Sequence, residues 1–197
     1  QSFLAFNRDT GKLAWKSGDE TATHATPIAA TIHGVRQVIF FCTSGLVGID
    51  PKTGDELWRQ KFPFKVSTAA APVVAGDLVY CSAGYGVGSG LYRISKNGSK
   101  MSSSEVWRKS NEMFNHWSTP IHHEGHLYGM FGFKKYGKGP LQCIELKSGE
   151  VKWSQDGYGP GNVILSGDKL IALSDTGEVA VVEASPSKYK ELGRKKV

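Results

Sequence analysis

Long apolar runs are missing from this 197-residue chain, and without a stretch of about 18 hydrophobic residues there is no membrane-spanning helix. The opening "QSFLAFNRDTG" has neither a basic start nor an extended apolar stretch, so it does not read as a secretory signal. Cysteine is scarce. Cys42, Cys81 and Cys143 stand singly in the apolar runs "VIFFCTS", "LVYCSAG" and "LQCIEL". An odd number without paired spacing excludes a disulfide framework or a CxxC metal site and leaves buried thiols acting as small apolar residues. Helical periodicity is missing too, since no segment keeps apolar residues at i, i+3, i+4 and i+7 for three turns. The net charge of +6 is spread over turns and strand edges, apart from clusters at "FKKYGKG" and "KYKELGRKKV". Nucleic-acid binding needs a denser basic face interleaved with stacking aromatics, so no nucleic-acid partner is expected. A diffuse excess of this kind attracts anionic partners only weakly.

Glycine, by contrast, is plentiful at 24 residues, and one phrase recurs: "AFNRDTGKLAW", "GIDPKTGDELW", "CIELKSGEVKW" and a degenerate "RISKNGSKMSSSEVW". Their final tryptophans, Trp15, Trp58, Trp107 and Trp153, stand 43, 49 and 46 residues apart, a period that means a solenoid, a propeller or an array. Between the phrases the order is constant. From Val66 to Lys109, "TAAAPVVAG", "DLVYCSAG", "GLYRIS" and "SEVWRK" have the length and the β-branched or aromatic content of four strands, separated by Gly, Asn, Asp and Ser. Four antiparallel strands per period describe a propeller blade. The chain is therefore read as all-β, one partial β-propeller: residues 1–18 as the last two strands of a blade, then whole blades at 19–62, 63–110, 111–156 and 157–197. In the last of these Leu192 falls roughly where the tryptophan would be.

The repeated phrase has a structural reading. Asp50 and Thr53 offer side-chain acceptors to nearby backbone N–H groups, and Gly54 permits positive φ where the hairpin reverses. Each tryptophan, four residues after the turn glycine or its equivalent, is placed on the outer strand, where its ring fills the wedge to the neighbouring blade and its indole N–H finds a backbone acceptor.

Candidate sites come from position more than from motif. "AGYGVGSGL" has its glycines at 84, 86, 88 and 90, which is neither phosphate-binding spacing, and it joins two strands; a flexible hairpin loop accounts for it. "IHHEGH" holds His122, His123, Glu124 and His126, but its Glu124-Gly125 falls at a hairpin turn and alternation sends His122 and His123 to opposite faces, so no functional metal is expected. No catalytic residue is assigned. In a propeller the first strands line the central channel and the loops entering them form one mouth. On that logic His24, Thr26, Thr68, His116, Trp117 and Ser118, which precede Pro27, Pro72 and Pro120, ring one opening, with Tyr85 near the same rim. Such groups suit a small polar ligand, a peptide or a protein.

On its repeated phrases the chain resembles the pyrroloquinoline-quinone-like (quinoprotein-type) β-propeller repeat family, whose blades carry Ala-x-Asp-x-x-Thr-Gly-x-x-x-Trp. "AFNRDTGKLAW" and "GIDPKTGDELW" match closely, "CIELKSGEVKW" has Glu145 and Ser148 where Asp and Thr are usual, and the degenerate copy keeps little beyond Trp107. The resemblance implies a ring of seven or eight blades, of which about four and a half are here, so that open ends invite self-association. It also implies a bacterial protein in the periplasm or outside the cell. The family holds quinone-dependent alcohol and sugar dehydrogenases as well as non-enzymatic propellers. The dehydrogenases carry calcium-binding carboxylates, an Asp base and often a Cys-Cys pair or CxxCH; neither cysteine motif occurs in this chain. A non-catalytic binding or scaffolding propeller without cofactor is the first reading. The alternative is part of a dehydrogenase whose quinone and calcium ligands lie outside this segment.

Overall fold

In a computed structural model that describes residues 1–132 and 139–197, every regular element among the described residues is a β-strand. The basic cluster read at "FKKYGKG" lies, but for Gly139, outside the described residues. A two-stranded sheet, β1 (Phe3–Phe6) and β2 (Leu13–Ser17), comes first. Four antiparallel sheets follow in chain order, each a meander in which strands pair with their sequence neighbours. The second sheet holds β3 (Ile28–Ile32), β4 (Val35–Cys42), β5 (Gly45–Ile49) and β6 (Glu56–Lys61). The third holds β7 (Val73–Ala75), β8 (Leu78–Ala83), β9 (Gly88–Asn97) and β10 (Lys100–Lys109). The fourth holds β11 (Ile121–His123), β12 (His126–Met130), β13 (Leu141–Glu145) and β14 (Val151–Gln155). The fifth holds β15 (Asn162–Ser166), β16 (Lys169–Leu173), β17 (Glu178–Glu183) and β18 (Glu191–Lys196). The sheets are propeller blades in an arc that does not close: the first and last share no core among the described residues.

The innermost strands are short because proline sets where they begin. β3, β7 and β11 each start at the residue after Pro27, Pro72 and Pro120. Proline has no N–H for the ladder and holds the preceding residue extended, so pairing can begin only beyond it. "TAAA", read as part of a strand, is instead a connector whose alanine N–H groups bond the connector between β10 and β11, as described below.

Alternation builds the core. Along β8, Val79, Cys81 and Ala83 pack toward the second sheet, while Leu78 and Tyr80 pack toward the fourth. Along β4, Ile39 and Phe41 face the third sheet and Phe40 and Cys42 the first. The middle strands are thus covered on both faces, which is why they read as continuous apolar runs. The three cysteines fall in three different inter-sheet cores and are free thiols. Burial pushes the Cys42 thiol up to about 11, with Glu20 adding to the rise, and likewise raises Cys143 to about 11, so both are protonated near neutrality.

The recurrent phrase is a turn built three times. Asp50 N–H donates to the Asp55 carbonyl and Gly54 N–H to the Asp50 carbonyl; the same pair of bonds joins Asn7 with Lys12 and Gly11, and Glu145 with Glu150 and Gly149. Asp50 Oδ1 accepts from Lys52 N–H at 2.7 Å, and Thr53 Oγ1 from Asp55 N–H at 3.2 Å. After each turn a β-bulge skips one residue, so that Trp15, Trp58 and Trp153 lie opposite the small residues Ala5, Gly48 and Cys143. A Cβ on Gly48 would come within 2.3 Å of the Trp58 indole nitrogen, so the first position of the phrase is small because the ring covers it.

From there the indoles reach forward. Trp15 Nε1 donates to the Pro51 carbonyl, Trp107 to that of Leu146 and Trp153 to that of Ser185, each on the connection between the last two strands of the following sheet. Gly54 stands at φ 81 with its open side 2.6 Å from the Trp15 ring, leaving no room for a side chain. Two copies depart. Trp58 donates at 2.5 Å to Gln37 Oε1 of its own sheet, because the β9–β10 hairpin ahead of it is long and offers no such turn. In the fifth sheet the bulge falls on Leu192, so Gly193, opposite Val181, takes the tryptophan position one residue later than read from the sequence.

Candidate functional site: an aromatic mouth

Tyr85, at the tip of the β8–β9 hairpin, and the connector from β10 to β11 meet at one end of the third and fourth sheets. Two connectors lace together there. The His116 carbonyl accepts from Thr68 Oγ1 at 3.0 Å, Ala69 N–H at 2.9 Å and Ala70 N–H at 3.2 Å, and Thr119 Oγ1 accepts from Ala71 N–H at 2.9 Å. Thr68 is fully buried, and its carbonyl takes the His24 N–H at 3.0 Å; the His24 ring nitrogen bonds the Ser67 hydroxyl. Thr68, His116 and Tyr85 are thus brought together beside Trp117 and Ser118, with His24 attached through its backbone; Thr68, fully buried, faces no opening. Thr26 is exposed and makes none of these bonds among the described residues.

The His116 ring packs against two aromatics, with Tyr85 edge-on at 4.8 Å and Trp117 at 4.4 Å between ring centres. The imidazole is buried, whereas Tyr85 is 66% and Trp117 50% exposed. His116 Nδ1 has no hydrogen-bond partner among the described residues. Burial holds its pKa below the ordinary histidine value, so the ring is neutral at physiological pH. Beside it, Phe114, Trp117, Ser118, Met130 and Pro160 close on a hole of about 10 Å³, room for a single water. Three non-glycine residues with positive φ lie on these segments: Tyr85 at 53°, Asn111 at 58° and Met113 at 50°.

Sequence reasoning missed the residue that holds this mouth in place. Asn115, 1% exposed, accepts from the Tyr80 hydroxyl at 2.8 Å and donates from Nδ2 to the Met130 carbonyl at 2.8 Å, while its N–H donates to Ser82 Oγ at 2.7 Å. It thereby ties β8 of the third sheet to the end of β12 in the fourth. Its place beside His116 and Trp117 in "NHWSTP" was the available signal.

At the other end of the same sheets a cleft of about 410 Å³ opens over Leu78 and Leu146, edged by His122, Glu124, His126 and Lys147. His123 and His126 face each other across the Glu124-Gly125 turn. Burial holds the His122 pKa down, with His123 and His126 adding to the effect. Among the described residues no group of three His, Cys, Asp or Glu side chains is placed to hold a metal ion. Among the described residues no helix is long and apolar enough to cross a membrane.

The family described as outer membrane protein assembly factor BamB matches residues 1–155. Among solved structures, the crystal structure of BamB from Moraxella catarrhalis aligns with a TM-score of 0.63 at 17% identity, covering 98% of this chain and 57% of that one. A europium-containing methanol dehydrogenase aligns with a TM-score of 0.52, also at 17% identity, covering 91% of this chain and 43% of that one. At such identities the likeness is one of fold, and the chain spans less than two thirds of either protein. No curated protein matches the chain.

Proposed function

From the premise that the chain belongs to the pyrroloquinoline-quinone-like repeat family of outer membrane protein assembly factor BamB, we propose that it is part of a non-catalytic binding propeller, in a bacterial protein working outside the cytoplasm, whose mouth around His116 receives a protein segment. The observation that carries this reading is the exposure of Tyr85 and Trp117, both packed against a buried, neutral imidazole on a connector laced to its neighbour by backbone bonds. Aromatic side chains that stand out from a rigid frame are the usual anchors of protein interfaces.

The fold shared with methanol dehydrogenase raises a quinone enzyme as the second reading, but the described residues do not fit that cofactor. The thiols are sequestered in separate cores, and among the described residues no group of three His, Cys, Asp or Glu side chains is placed to hold the metal ion that accompanies the quinone. Two measurements test the proposal. A photo-crosslinking residue at position 117 should capture a discrete protein partner that the same residue at position 192 does not. The purified chain, given pyrroloquinoline quinone and Ca²⁺, should gain no bound quinone absorption band and oxidise no alcohol with an artificial acceptor. Stoichiometric quinone binding would replace this reading with the enzyme.

A further inference from the structure

Four of the five tryptophans have their indole N–H bonded, to Pro51, Gln37, Leu146 and Ser185; that of Trp117 has no acceptor among the described residues. The Tyr85 hydroxyl also has no partner there. Two donors on exposed residues are therefore without a partner among the described residues. Tyr85 is held there against its backbone preference: at φ 53, between Gly84 and Gly86, a glycine would be unstrained and a bulky residue is not. Its ring does not fill a core, since two thirds of it is exposed.

Among the described residues the lining is uncharged: Tyr85, Phe114, Trp117, Ser118 and Pro160 carry no charge, and buried His116 is neutral. An ionic ligand would find no countercharge among them. Each exposed ring lies within 5 Å of the same imidazole, so the two stand no farther apart than one turn of a polyproline II helix, about 9 Å. Such a helix makes no internal hydrogen bonds, keeps its carbonyls free for outside donors and presents apolar prolyl rings that lie against aromatic side chains.

We infer that the mouth binds a proline-rich segment of a protein partner in the polyproline II conformation, with prolyl rings against Trp117 and Tyr85 and peptide carbonyls accepting from the Trp117 indole and the Tyr85 hydroxyl. This rests on the protein-binding reading above and names the kind of segment that enters the site.

The test is a titration of the ¹⁵N-labelled chain with an oligoproline peptide, following the five indole N–H resonances. The Trp117 signal should move saturably while the four bonded indoles stay in place. Trp117→Ala should weaken binding about tenfold, the loss of one good anchor contact. Tyr85→Gly should weaken it comparably while the protein melts no lower than the parent, because relieved backbone strain offsets the lost ring contact. A Trp117 signal indifferent to oligoproline, or binding undiminished in both variants, overturns the inference. So does a shift produced by a neutral oligosaccharide and not by the peptide. If the crosslinker at position 117 still captures a protein while oligoproline does not bind, the polyproline inference falls and the protein-binding reading stands. If neither occurs, both fall.

Discussion

Trp58 is the most enclosed of the four repeated tryptophans at 3% exposed, packed over Gly48 and bonded to buried Gln37. Replacing it with alanine removes the ring and strands the Gln37 oxygen. Trp58→Ala should cost about 3 to 5 kcal/mol in urea unfolding, the range for a large buried aromatic, whereas Trp15→Ala, at a half-buried site, should cost less. A Trp58→Ala protein that melts like the parent would remove the ring from the account of how sheets hold together. His116 makes stability depend on pH. Its folded pKa lies below the ordinary value of about 6.5, so on acidification the unfolded chain binds a proton before the folded one does. That contribution is full above about 6.5 and is lost as pH falls from there through the lowered folded value; His122 acts in the same direction. The unfolding midpoint should therefore drop between pH 7.5 and 5.5, and drop less in His116→Gln. An equal drop in both would acquit the imidazole.

The β9–β10 hairpin shows what an irregular element does inside a regular repeat. Its two ten-residue strands run past the usual turn, and β10 leans on β6, with Ser103 Oγ donating to the Arg59 carbonyl at 2.6 Å and His33 Nε2 meeting the Ile94 carbonyl at 2.8 Å. Met101 from this extension sits in the core beside Trp58. Deleting residues 96–101 and closing the strands with Asn-Gly should shift Trp58 fluorescence to the red and cost about 2 kcal/mol or more, the low end for losing a buried methionine. Unchanged emission would mean that Trp58 does not need this cover. The sequence reveals such features unevenly. The sheets were legible because turn glycines, small residues and tryptophans recur at one period, and each answers a local steric demand. The extension was not, since "RISKNGSKMSSSEVW" reads as a decayed copy of the phrase. The tryptophan position of the last sheet was read at Leu192, one residue before Gly193, because a bulge shifts register without marking the sequence. His116 and Trp117 were singled out by their position before Pro120; Asn115, though next to them, gave no sign of its bonds, as its partners Tyr80 and Met130 are distant in sequence and are brought to it only by packing.

Across the whole molecule the inter-sheet cores are shared pairwise, and the outer faces of the end sheets carry apolar residues with no sheet against them. Leu4, Phe6 and Leu13 at one end, and Ile164 and Leu173 at the other, are each more than 40% exposed. Apolar surface gathered in this way favours association. Light scattering on the purified 197-residue chain should give a mass above one chain that rises with concentration; a single compact species with the mass of one chain at every concentration would contradict it.

The forward reach of the indoles gives the array a polarity: each joint has a donor side and an acceptor side, and the two are not interchangeable. Chains meeting head to tail would form heterologous contacts, the kind that continue into open strings unless geometry closes them. At such a junction, however, the donor side offers Gly193 where an indole belongs, and the waiting turn from Asn7 to Gly11 receives no ring. Copies of this segment can adhere there only through bare apolar surface, without the register an indole imposes. Their assemblies should be weak and mixed in size, and a counterpart bearing a tryptophan at that position should displace them.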